Sequence, residues 1–250
     1  MNSTVGTSAV GGTVDAREAG FFGALAGDWW DPAGSSAMLH RINPLRLGYI
    51  RDALIARGRD ARARRLLDGL TALDVGCGAG LLTEPLARMG ATVTGIDAAA
   101  ENVAAATAHA AAGQLDITYR SAPVEVLARE GAVFDLVTCM EVVEHVADRP
   151  RFLASLHAVT APGGLLVMST PNRTPLSYAT LIVGAERIMR TIPKGAHDWS
   201  KFVTPDELSA ELTVAGFAVR GVTGMTWRPG SGFVLGNDTS VNYYLTAVAA

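Results

Sequence analysis

A chain of 250 residues has room for one ordinary α/β domain with decorations and a substantial core. Hydrophobic residues make up 49% and charged residues only 18%, and mean hydropathy is +0.23, which excludes a disordered chain and obliges a search for membrane spans. The net charge of −3 lacks the basic excess of a general nucleic-acid binder, and no run of about 18 purely apolar residues is present, which argues against an integral membrane protein.

Residues 1–14 are rich in Gly, Ser, Thr and Val, with no basic start and no apolar run, and read as a disordered leader rather than a signal peptide. Residues 15–69 read as a helical cap. An amphipathic segment over 16–31 carries Trp29 and Trp30 and breaks at Pro32 and Gly34. Asn43 as N-cap and Pro44 at the first position predict a second helix, with Leu45, Leu47, Ile50 and Leu54 on one face. It leads to Arg57, Arg59, Arg62, Arg64 and Arg65, which form either a solvated face or a contact for anionic headgroups.

From Thr71 strands and helices alternate. Strands are expected at TALDV, ATVTGID, DITYR, VFDLVTCM and GGLLVMST, which predicts a parallel sheet with helices on both faces. An insert spans 172–202. Thr204 as cap and Pro205 at the first position start a late helix, and FAVRGVTGMTW and VNYYLTAV read as an antiparallel pair finishing the sheet. Cys77 and Cys139 fall in apparent core strands and fit a reduced, cytoplasmic protein.

The strongest motif is Leu73-Asp74-Val75-Gly76-Cys77-Gly78-Ala79-Gly80, a buried strand meeting a glycine turn that opens a helix. Glycines admit a close ligand, and the helix start offers free N–H groups. Asp97, at the end of the next strand, can accept both hydroxyls of a ribose. The turn runs G-x-G-x-G, with Leu81 where a dinucleotide binder has its third glycine. Asp74 would repel a pyrophosphate but suits a cationic amino-acid tail. Residues 71–170 thus resemble class I S-adenosylmethionine-dependent methyltransferases. The resemblance implies a Rossmann-like, mostly parallel seven-stranded sheet, with Gly76, Gly78 and Asp97 on the cofactor and Met140 lining its cleft.

Further segments point to the substrate: Trp29-Trp30-Asp31-Pro32, residues 39–47 and 138–146, Ser169-Thr170-Pro171-Asn172-Arg173, and residues 193–202. Together they resemble the ubiquinone biosynthesis O-methyltransferase family over nearly the whole chain. The resemblance implies methylation of phenolic hydroxyls on polyprenylated catechols and quinols, magnesium as a second cofactor, and cooperation with other proteins of the quinone pathway.

A phenol of pKa about 10 needs help to ionise at neutral pH. Glu141, Glu144 and His145 offer it, at i, i+3 and i+4 of an expected helix after strand four. Three readings stand: ligands of a divalent ion acting as a Lewis acid, His145 as a direct base, or acids complementing a helix dipole. Arg46 is the candidate for the cofactor's carboxylate, bound bidentately, with Arg41 and His40 as competitors. His109 and His157 read as structural, and Trp29 and Trp30 as lid or core packing. Residues 176–192 form an apolar helix with basic residues gathered at its end, either a lid over the site or a helix lying in the interface with anionic lipids. The expected location is the cytoplasm, peripherally on the inner face of the membrane.

Overall fold

The computed structural model describes Thr13, Gly20 and residues 28–34, 36–182 and 198–250. The first long element is α1 (Ala37–Ala56), with Ile42, Arg46, Ile50 and Leu54 buried. It starts earlier than the sequence suggests. Pro44 lies inside the helix rather than at its first position, and the Asn43 side chain is not a cap. Its Nδ2 instead donates to the Leu81 carbonyl at 2.7 Å, tying α1 to the glycine turn. The buried face, Ile42, Arg46, Ile50 and Leu54, continues on both sides of Pro44. The arginines that follow lie in turns, where Arg59 donates to the Leu66 and Asp68 carbonyls.

Short apolar strands then alternate with helices: β1 (Thr71–Val75), α2 (Thr83–Arg88), β2 (Thr92–Asp97), α3 (Ala100–Ala112), β3 (Ile117–Ser121), α4 (Val124–Arg129), β4 (Phe134–Met140), α5 (Arg149–Val159) and β5 (Thr160–Pro171). Then come α6 (Pro205–Val214), β6 (Phe217–Arg228), β7 (Gly232–Gly236) and β8 (Asn242–Ala249). Among the described residues the sheet has eight strands in the order β3-β2-β1-β4-β5-β8-β6-β7. The first five are parallel, and β8 pairs antiparallel with both β5 and β6 as expected. The sequence implies seven strands. The eighth, β7, is a short edge strand hairpinned to β6 through Gly230 and Gly232, both at positive φ. Its Gly-bounded five residues carry no long alternation to announce it.

Period-two alternation divides the core between the two faces. Leu73, Val75, Val137, Cys139 and Met168 pack with Phe152, Leu156, Leu208 and Leu212 under α5 and α6. Ala72, Leu136 and Val167 pack with Ile42, Ile50 and Leu54 under α1. The C-terminal ends of β1, β4 and β5 therefore meet between two covered faces, and a crevice for ligands belongs there in such a sheet.

The helix signal at Thr204 holds fully. Thr204 and Glu207 form a reciprocal capping box with Pro205 behind the cap. Thr204→Ala is expected to cost about 1 kcal/mol, lowering the melting temperature by roughly 2–4 °C in a thermal scan.

Candidate active site

The turn after β1 holds Gly76, Gly78 and Gly80 at φ of 72°, 53° and 91°. Gly76 and Cys77 donate backbone bonds of 2.8 and 2.9 Å to the Ile96 carbonyl, locking the turn to β2. Each glycine is also closely covered. A Cβ would lie 2.4 Å from Val142 at Gly76, 2.5 Å from the Trp29 ring at Gly78, and 2.5 Å from the Tyr119 hydroxyl at Gly80. Asp97 accepts from the Gly78 amide at 2.9 Å, from the Ala99 amide at 2.8 Å and from Asn102 at 3.2 Å. Burial raises its pKa despite these donors.

Two residues before the turn, Asp74 is 2% exposed. Its oxygens accept from Thr83 at 2.6 Å and Thr138 at 2.7 Å. Burial pushes its pKa up to about 6, against the pull of the two hydroxyls and of Arg46. Arg46 is itself buried, with Nε and Nη2 lacking hydrogen-bond partners, beside Asp74 and Tyr244. A buried guanidinium with free N–H groups is a ready receptor for a carboxylate. Of its competitors, Arg41 is exposed and His40 is engaged with the Trp29 carbonyl at 2.9 Å. Met140 ends β4, buried in the cluster under α1.

The expected helix face of Glu141, Glu144 and His145 does not form. Glu141 takes a left-handed φ of 57° directly after β4, and Val143–His145 is a single 3₁₀ turn. Glu141 accepts from Ser169 at 2.5 Å and from Asn242 at 3.0 and 3.2 Å. Glu144, 2% exposed, accepts from Thr170 at 2.9 Å through Oε2. Its Oε1 has no hydrogen-bond partner and stands 3.9 Å from His145 Nε2. Burial raises the Glu144 pKa to about 7, offset by His145 and reinforced by Glu141. Ser169 and Thr170 are successive strand residues and point to opposite faces, so they draw the two acids apart. Among the described residues no group of three or more His, Cys, Asp or Glu side chains is placed to hold a metal ion. The donor set does not fit a magnesium ion held by all three side chains.

The comparisons with known proteins agree on a family and a fold. A methyltransferase domain model matches residues 73–168, from β1 to β5. The ubiquinone biosynthesis O-methyltransferase of Azorhizobium caulinodans is 48% identical over 95% of both chains. That of Methylobacterium sp. strain 4-46 is 48% identical over 95% of this chain and 96% of its own. The chain belongs to the ubiquinone biosynthesis O-methyltransferase family. It is an S-adenosylmethionine-dependent methyltransferase. In fold it is similar to magnesium protoporphyrin IX methyltransferase of Synechocystis PCC 6803 solved with bound SAH, at a TM-score of 0.59 and 23% identity over 82% of this chain and 83% of that one.

The structure brings Asp97 onto the glycine turn and Arg46 beside Asp74. Thr138, Ser169 and Thr170 fall in segments that the sequence singles out, but their role in holding the acids is set by strand register, and Thr83 and Asn242 carry no local signal. Gly78→Ala would put a Cβ in a left-handed position against Trp29. We expect the roughly 1–2 kcal/mol strain of that conformation to lower the ligand-free melting temperature by about 2–8 °C in a thermal scan.

Proposed function

We propose that this protein transfers a methyl group from S-adenosylmethionine to a phenolic oxygen of polyprenylated ubiquinone precursors, converting 3-demethylubiquinol to ubiquinol and 2-polyprenyl-6-hydroxyphenol to its 6-methoxy product. When bound, the cofactor supplies a methyl group already activated on a sulfonium. Arg46 receives the cofactor's carboxylate on its free N–H groups, Asp74 faces the ammonium, Asp97 holds the ribose hydroxyls, and Met140 lines the cleft. The ammonium favours ionised Asp74, so affinity rises with pH through about 6 and then levels off.

His145 takes the phenolic proton, and Glu144 stabilises the imidazolium that results. The observation that carries this step is the unpartnered Glu144 oxygen 3.9 Å from His145 Nε2, in a buried site. An uncompensated buried acceptor gains most when a positive charge forms beside it. Glu144→Gln removes that gain. With labelled cofactor and short-chain demethylubiquinol, its kcat should fall about a hundredfold. In the parent enzyme the rate should climb with pH through about 7, as ionised Glu144 becomes available, and the variant should lose this limb. EDTA should leave the parent rate unchanged. A loss restored by magnesium would replace direct proton transfer with a metal-bound phenolate, and absence of label on the quinol oxygen would refute the acceptor.

A prenylated acceptor resides in the bilayer, and we propose that the insert after β5 meets it there. Of residues 176–192, those from 183 onward lie outside the described residues. In the described part Thr174 caps a short helical turn, Pro175–Ser177, and Leu176 and Tyr178 are 49% and 41% exposed. No helix among the described residues is long and apolar enough to cross a membrane, and exposed apolar side chains of this kind suit an interface. The partner is anionic lipid. Leu176→Glu combined with Tyr178→Ser should lose at least about tenfold in binding to anionic liposomes by sedimentation, as expected from the apolar area withdrawn. Equal binding by this variant would refute the contact.

A further inference from the structure

We propose that His109 is a positioning residue for the cofactor and acts through Trp30. The proposal rests on the placement of the cofactor at the glycine turn. Trp30 and His109 stack face to face, with ring centroids 3.4 Å apart and planes within 4°. Trp30 Nε1 donates to the Ala79 carbonyl, inside the glycine turn, at 3.0 Å. The indole is therefore held between the turn and α3.

The imidazole is held in its turn. His109 Nδ1 lies 2.6 Å from Glu84 Oε1, and Arg88 donates to the other oxygen at 2.9 Å. Glu84 is 1% exposed, and its amide donates to the Gly80 carbonyl at 3.0 Å. Both anchors of the stack, Ala79 and Glu84, thus belong to the glycine turn and to the helix that it opens. The stack also fixes the neighbouring residue. Trp29 follows Trp30 back to Gly78, where its ring covers the backbone, and His40 Nε2 meets the Trp29 carbonyl at 2.9 Å. Trp29, Trp30 and His109 belong to neither apolar core cluster. Their stacking and hydrogen bonds run to the turn and to α2.

This arrangement makes a specific role testable. Losing an aromatic stack should weaken SAH binding about threefold to tenfold. His109→Ala should show that loss by calorimetry, with a matching rise in the SAH dissociation rate by stopped-flow tryptophan fluorescence. KM for the cofactor should rise by the same factor while kcat stays within about twofold, and because Glu84 loses a partner the ligand-free melting temperature should also fall by roughly 2–4 °C, a fall that His109→Gln should largely avoid. His109→Phe retains a flat ring and should recover most of the affinity. His109→Gln retains a donor for Glu84 without a ring and should not. Trp30→Phe keeps the stack, loses the bond to Ala79, and should fall between.

Unchanged affinity and dissociation in His109→Ala would overturn the proposal. So would a loss that Phe and Gln restore equally, because the ring would then be irrelevant. Asp97→Ala should abolish SAH binding. If it binds as the parent does, the cofactor does not occupy this turn, and the positioning role of His109 falls with that placement. The binding readouts need only SAH and the free enzyme, so failure of the quinol as acceptor leaves them standing.

Discussion

The buried carboxylate of Asp74 is the constraint on which the site depends. An ionisable group at 2% exposure is costly unless its oxygens are satisfied. Thr83 from α2 and Thr138 from β4 satisfy them, and Arg46 brings α1 to the same point. One side chain therefore joins four elements, two residues before the chain must turn through Gly76. The strand, the helix after the turn and the cap helix cannot shift independently without exposing or orphaning that carboxylate. The glycine turn inherits its position from this anchor. The bonds from Gly76 and Cys77 to Ile96 then extend the constraint to β2 and so to Asp97.

Strand alternation explains how the acids after β4 are deployed. Ser169 holds Glu141 on the side of the sheet with Asn242, and Thr170 holds Glu144 on the side with Tyr243. The left-handed Glu141 is what lets the chain leave β4 and place its two acids against different partners. Such a conformation in a non-glycine residue costs about 1–3 kcal/mol and persists only where the surroundings enforce it. Here three hydrogen bonds to the Glu141 carboxylate enforce it. The consequence is chemical, since Glu144 is left with an unpartnered oxygen toward His145.

The parallel core, the glycine turn and the Thr204 cap were readable because each has a local cause. Apolar runs between Gly-rich turns have one stable use, and a Thr-Pro-Asp-Glu start has one capping geometry. Asp74 and Asp97 were readable for the same reason, as fixed offsets from a turn. Other features depend on distant partners. Asn43 looks like a cap until Leu81 is beside it. Glu141, Glu144 and His145 have helix spacing, but Ser169, Asn242 and Thr170 compete for the acids and win, and no helix of more than one turn forms. β7 becomes a strand only because β6 offers an edge. His109 reads as an ordinary helical histidine until Trp30, 79 residues earlier, lies on it.

A common pattern connects three of the acids at this end of the sheet. Asp74, Glu141 and Glu144 are held by threonine or serine hydroxyls, with an asparagine amide added for Glu141. Hydroxyl donors satisfy a buried carboxylate without cancelling its charge, so burial still governs, and the pKa values of Asp74 and Glu144 rise to about 6 and about 7. Glu130, out in solvent, pairs with Arg120 and its pKa falls, and that of the half-buried Glu207 falls through the Thr204 amide and then Arg173. The apolar excess of the chain belongs to the same logic. A sheet covered on both faces gives the low-polarity setting in which a neutral donor leaves a carboxylate eager for positive charge.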